Sequence, residues 1–343
     1  MSPSGTPWAG TTSSTPEPLG RVGDDGGVPD LLPRARRTSR LVVLGALAVH
    51  RVAGRGTAGG RLDQAVVLGA LALGMPHGAA DTELLKSASH GSQGRERVLV
   101  AAYAVVATAA TVVVRRGGRG VERAVLLASA AHFAEGELAC WRTKPDGRRG
   151  TLLRALTAAV ATVGLPAAVG MANRRPAEVG VTGALTAPRA GGERTGVEVL
   201  RGDGRRSVGP LAAAGLLGVT ALAASGDREA AGDSALLVAL ALLAPPSTSF
   251  AAYFGGWHAL RHTARVVDAL VAEGQLPPQR SLPRAVGELG RRSAWAAGVG
   301  LVAAGVLAVA DPAHASDNAF AAVLGLTVPH MSTVALELTG RGR

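Results

Sequence analysis

Two imidazoles four residues apart, His258 and His262 in the segment YFGGWHALRH (residues 253–262), carry the strongest chemical signal in the chain. Four residues is slightly more than one helical turn, so both rings project from one helix face and can grip a single ion. Three further histidines fall within or at the end of apolar stretches: His77 in GMPHGAAD, His132 in SAAHFAEGE and His330 in TVPHMSTV. An ionisable group at membrane depth is expensive and normally turns to the bundle interior, toward a partner. Five in one bundle point to a shared site. Taken alone, His330 is more simply a satisfied polar residue, whereas two neutral rings at i and i+4 gain little unless they chelate. His50, His90 and His314 lie in or beside connectors and read as solvated.

The neighbours of these rings suit metal chemistry. Pro76 frees a helical carbonyl and stiffens the backbone before His77, and Gly78 lets another helix come close. Asp81 stands four residues after His77, where a carboxylate can accept the second ring N–H of a metal-bound imidazole and so fix its tautomer. Glu135 and Glu137 are placed to serve His132 in the same way. A single cysteine, Cys140, excludes an intramolecular disulfide and a Cys-rich metal site. An all-imidazole set suits iron, zinc or copper and argues against calcium and magnesium, which prefer oxygen. Inside lipid, a redox metal working with O2 on an apolar substrate is more natural than hydrolytic zinc, which needs plentiful water.

The elements that must position these residues are apolar helices. The chain has 343 residues, 47% hydrophobic and 18% charged, too long for one small domain and too apolar for an ordinary soluble one. Val98 to Val114, Ser207 to Ser225, Ser234 to Gly256, Ser293 to Ala310 and Asn318 to Leu336 contain no Asp, Glu, Lys or Arg. About twenty apolar residues span the bilayer hydrocarbon, so these stretches read as transmembrane helices. The patterning predicts helices near 40–53, 64–86, 98–114, 121–141, 151–173, 207–225, 234–270, 291–310 and 317–338, with the seventh broken by Pro245 and Pro246. The expected fold is all-α, a polytopic integral membrane bundle of about eight or nine transmembrane helices, residing in the cell membrane. Residues 1–38, rich in Ser, Thr, Pro and Gly at their start and without an apolar core, read as a disordered tail, 39–340 as the membrane domain, and 174–206 as a flexible loop within it.

The net charge of +11 raises nucleic acid as a partner. Nearly all of that charge is arginine in connectors such as RRGGRG (115–120) and RTKPDGRRG (142–150), which suits lipid headgroups, and no basic patch interleaved with aromatics is present to stack bases. Nucleic acid is therefore excluded as the partner, and the lipid bilayer takes its place.

At its histidine segments the chain resembles the Brp/Blh family of bacterial and archaeal β-carotene 15,15′-dioxygenases. GMPHGAAD is similar to that family's Gly-x-Pro-His-Gly segment with its following Asp, HFAEGE to its His-Phe-Gly segment with following acids, YFGGWHALRH to its Trp-His-x-x-Arg-His segment, and VPHM to its late Pro-His. Four segments in the family's order cover the chain from roughly residue 70 to 335, and their combination is far more specific than any one of them. Ala134 stands where the family usually has glycine, and Thr82 follows Asp81 where a histidine is common. The resemblance implies a membrane enzyme that cleaves the central double bond of β-carotene, or of a related carotenoid, with O2 to give two molecules of all-trans-retinal. It also implies Fe(2+) held by His77, His132, His258 and His262, with His330 nearby as a second-layer or pocket residue, and a retinal-binding rhodopsin as a natural client. Tyr253, Phe254 and Trp257, just before His258, are candidate pocket walls or interfacial anchors. The rival readings are a membrane lipid desaturase or hydroxylase, a carotenoid- or retinal-binding protein without cleavage activity, and a proton-coupled transporter using the intramembrane His and Asp.

Overall fold

A computed structural model describes residues 30–53, 69, 74, 77–89, 91–117, 119–141, 147–173, 194–202, 205–279, 281–299, 302, 306 and 315–340. Among these the regular elements are helical throughout: α1 (Leu32–Ala53), α2 (Asp81–Ala88), α3 (Gln93–Arg116), α4 (Arg119–Cys140), α5 (Gly147–Ala159), α6 (Leu165–Ala172), α7 (Gly196–Arg201), α8 (Arg205–Ala224), α9 (Arg228–Leu243), α10 (Pro246–Ala251), α11 (Ala259–Ala272), α12 (Leu282–Arg292) and α13 (Ala315–Gly340). Two wide π-turns, Val160–Gly164 and Ala252–His258, join α5 to α6 and α10 to α11.

Three of these helical runs are long and apolar enough to cross a membrane: α3, the run from Gly147 to Ala172, and α8. Along α3 only 6% of the apolar window is buried, and Val98, Val105 and Val113 point outward. Such a surface is costly in water and neutral against acyl chains. Around α1, α6, α8, α9 and the second π-turn the interior closes on Val43, Leu165, Val208, Leu237, Leu240 and Trp257.

Helix boundaries follow local chemistry. Ser92 accepts the Arg95 backbone N–H at the start of α3, and Asp227 accepts that of Ala230 at the start of α9. The predicted proline break is present: α9 ends at Leu243 and α10 restarts with Pro246 at its first position, where a missing N–H costs nothing. The first π-turn precedes Pro166. Proline lacks an N–H and its ring crowds the carbonyl four residues back, and the wider turn, in which Leu165 N–H reaches the Val160 carbonyl, opens the helix where that crowding would fall.

Two expected boundaries shift. Of the proposed 1–38 tail, residues 1–29 lie outside the described residues, but α1 begins at Leu32 and runs through the RARR cluster, because Arg36 is buried in an ion pair with Glu229. Within the proposed 174–206 loop, residues 174–193 lie outside the described set, whereas Thr195 and Glu198 form a reciprocal capping box that starts α7. Of the helix predicted over 64–86, residues 64–76 lie outside the described residues apart from Gly69 and Gly74, and so do His90 and His314.

Small residues set how closely the helices approach. A β-carbon at Gly256 would overlap Val42 of α1, so α1 lies directly on the second π-turn. A β-carbon at Gly325 would overlap Thr111 and sit 2.8 Å from the Ala107 carbonyl oxygen, so α13 meets α3 backbone to backbone.

Candidate metal centre

The five histidines singled out in the sequence arrive from four directions. His77 lies in a short helical turn before α2, His132 on α4, His258 at the end of the second π-turn, His262 one turn on in α11, and His330 in α13 directly after Pro329. All five are buried. His77 is central: its ring centroid is 4.3 Å from His262, 4.7 Å from His330 and 5.1 Å from His258. His132 closes the other side, 5.1 Å from His330 and 5.4 Å from His258. The His258 and His262 rings stack with centroids 5.9 Å apart and planes 21° apart, as the four-residue spacing predicts.

Two ligand triads emerge, His77 with His262 and His330, and His132 with His258 and His330, the candidate ligand atoms of each triad lying within 4.8 Å of one another. Each of the five rings also has a buried nitrogen without a hydrogen-bond partner among the described residues: Nδ1 of His77 and Nε2 of His132, His258, His262 and His330. A buried polar atom left unpaired costs roughly 1–3 kcal/mol, so five in one place suit a shared partner. Neutral imidazoles are strong ligands for a transition metal and poor partners for one another. The residues present therefore fit a metal ion.

The carboxylates sit near this cluster, but not where their spacing suggested. Asp81 does not support His77. The Ala80 N–H reaches back three residues to the His77 carbonyl, a tight turn that carries Asp81 off the His77 face. Its carboxylate instead meets Nδ1 of His330 at 2.8 and 3.0 Å and accepts the Tyr103 hydroxyl at 2.7 Å. Glu137 does not support His132 either. It accepts the Trp257 indole N–H at 2.9 Å and an Arg261 N–H at 3.0 Å. Glu135 is half-buried, within electrostatic reach of Arg265 and His330.

Arg261 is the centre of a second buried layer that the sequence reading did not single out. It sits between His258 and His262, 1% exposed, bound to Glu137, to Asp233 at 2.9 Å and to the Ser39 hydroxyl at 2.9 Å. Asp233 is also held by Arg40 Nε at 2.7 Å and by the Trp141 indole N–H at 3.2 Å. One guanidinium thus ties α11 to α4, α9 and α1, and fixes the register of the helix carrying two of the five rings. The available signal was an arginine inside an apolar histidine segment, since such a charge needs buried partners.

The aromatic neighbours divide by role. Phe133 packs edge-on to His258 with centroids 4.7 Å apart, and Tyr253 lies 6.0 Å from the same ring. Phe254 stands 6.4 Å from His77 and stacks on Phe250. These rings flank the histidine cluster. Trp257, proposed as a pocket wall, faces the other way: Arg261 Cζ is 3.6 Å over its ring and its N–H goes to Glu137, so it anchors the ion network.

A family model described as β-carotene 15,15′-dioxygenase matches residues 68–336. The chain belongs to that family. The matched span holds all five clustered histidines together with Asp81, Glu137 and Arg261, so the buried cluster coincides with the stretch that defines membership. Comparisons with curated proteins and with solved structures gave no match. The family is one of carotenoid dioxygenases, so carotene and O2 are the substrates that membership implies, and the three long apolar helices are compatible with a membrane setting.

Proposed function

We propose that this chain is a multi-pass enzyme of the cell membrane, crossing it about eight or nine times, that cleaves the central 15,15′ double bond of β-carotene with O2 to give two molecules of all-trans-retinal. The carbon–carbon double bond is replaced by two aldehyde C=O bonds, and both oxygen atoms of O2 are accounted for. The observation that carries the reading is the convergence of five buried imidazoles with unpaired ring nitrogens inside an apolar bundle of a carotenoid-dioxygenase family member.

His77, His132, His258 and His262 would hold the metal, Fe(2+), which when bound supplies the means of activating O2. The chain's own residues do the rest. Phe133 and Tyr253 on the His258 side and Phe254 on the His77 side offer flat apolar faces against which a conjugated polyene can lie. Burial keeps bulk water from the reacting carbons. The Arg261 network holds the His258–His262 helix against the His132 helix, and so keeps one position along the polyene opposite the imidazole cluster.

The test is to express the chain in a bacterium that accumulates β-carotene and to follow bleaching and extracted retinal by chromatography, beside a His262→Ala control. Retinal from the wild type alone is expected. Unbleached cells containing folded, iron-loaded protein would refute central cleavage of β-carotene and favour binding without cleavage. A fully active His262→Ala protein would refute the proposed ligand set.

A further inference from the structure

His330 belongs to both ligand triads, yet neither its sequence context nor its family segment marks it as more than a neighbour of the metal. We propose that His330 is a fifth imidazole ligand of the centre, aimed by the Asp81 carboxylate, which Tyr103 in turn holds in place. The inference rests on the metal-centre reading above and deepens it.

The two nitrogens of His330 have different surroundings. Nδ1 lies 2.8 and 3.0 Å from the two Asp81 oxygens, so this nitrogen carries the proton and donates it. Nε2 then bears the lone pair. It is buried and has no hydrogen-bond partner among the described residues. A histidine kept only to pair with Asp81 has no need to present Nε2 to four other imidazoles, whereas a metal-bound histidine commonly donates its remote N–H to a carboxylate. Among the described residues, Asp81 is the one carboxylate hydrogen-bonded to any of the five rings. It therefore supplies the negative charge that an otherwise neutral ligand set lacks, delivered through the ring of His330.

The supporting elements are fixed rather than loose. Asp81 opens α2, Tyr103 lies on α3 and His330 on α13, so the chain Tyr103–Asp81–His330 crosses three elements. Backbone contact between α13 and α3 at Gly325 sets the height of His330 against Tyr103. Positions this constrained suit a ligand whose angle to the metal matters.

The experiment loads the full-length protein in detergent with Co(II), whose visible spectrum reports coordination number, and measures affinity by competition with a chromophoric chelator. His330→Gly is expected to shift the Co(II) bands toward a lower coordination number and weaken binding at least about 10-fold, and added imidazole should restore the wild-type spectrum. Asp81→Asn is near-isosteric and keeps the fold testable. It should weaken binding about 10- to 100-fold while the spectrum keeps its shape, with a smaller loss for Tyr103→Phe. A His330→Gly protein with wild-type spectrum and affinity overturns the fifth ligand while leaving the four-histidine centre standing. Wild-type protein that takes up no Co(II) or Fe(II) overturns the centre itself and the fifth ligand with it.

Discussion

Replacing Arg261 by methionine tests whether the second buried layer holds the helix of His258 and His262 in place. Methionine fills much of the same volume and removes the charge. Glu137 and Asp233, whose side chains are 2% and 0% exposed, then lose their shared cation. Asp233 keeps Arg40 and the Trp141 indole, but Glu137 keeps only the Trp257 N–H among the bonds described. Breaking a buried pair from one side costs roughly 3–5 kcal/mol, and losing a desolvated guanidinium from the Trp257 face adds up to about 2 kcal/mol. With Asp233 still partnered, a total near 4 kcal/mol is expected, about 8 °C in Tm at roughly 2 °C per kcal/mol for a chain of this size. The assay is thermal melting of the purified protein in detergent, followed by tryptophan fluorescence. Arg291→Met serves as control, because Arg291 pairs with Glu288 at the exposed end of α12 and should leave Tm unchanged. Glu137→Gln on top of Arg261→Met removes the stranded charge while keeping an acceptor for Trp257, and should recover part of the loss. An Arg261→Met protein that melts with the wild type, or a double variant whose losses simply add, would refute the assignment of the network as a coupled buried unit.

Other outcomes follow from the packing. Gly136→Ala would place a β-carbon 3.2 Å from His258 Cε1, so metal affinity should fall about 10-fold by chelator competition while Tm holds. Gly325→Ala must separate α13 from α3 and should destabilise by about 1–3 kcal/mol, whereas Gly45→Ala on the open face of α1 meets nothing within 4 Å and should stabilise by roughly 0.5–1 kcal/mol, both read from melting curves. Protons compete with metal for the same ring nitrogens, so acidification should release the ion into a chelator. Tighter binding at lower pH would contradict imidazole ligation.

The features legible in the sequence were those set by neighbours along the chain. The four-residue step from His258 to His262 gives stacked rings because one helical turn does the work, and Pro245–Pro246 breaks the helix wherever the rest of the protein lies. Partners chosen by packing were not legible. Asp81 seemed matched to His77 by spacing, yet its carboxylate is taken by a histidine 249 positions away. Glu137 was read against His132, and its charge goes to Arg261 across 124 positions. The π-turns were hidden for a different reason: each adds one residue within a single turn while the helical period on either side stays intact, and the second packs on Val42 through Gly256, a contact set by tertiary packing. The start of α1 was misplaced because RARR reads as a flank, while the buried pairing of Arg36 with Glu229 draws that cluster into the helix.

The wide spread of the clustered histidines along the chain, from His77 to His330, also bears on how the protein comes into being. The last of them belongs to α13, which leaves the ribosome after the other described elements of the cluster, so neither triad can be complete before α13 has been made. With His330 as a fifth ligand, as proposed above, the full site would be complete only once α13 has packed against the other histidine-bearing elements. Late completion of that kind would keep a half-built metal centre from meeting oxygen among unsaturated lipids.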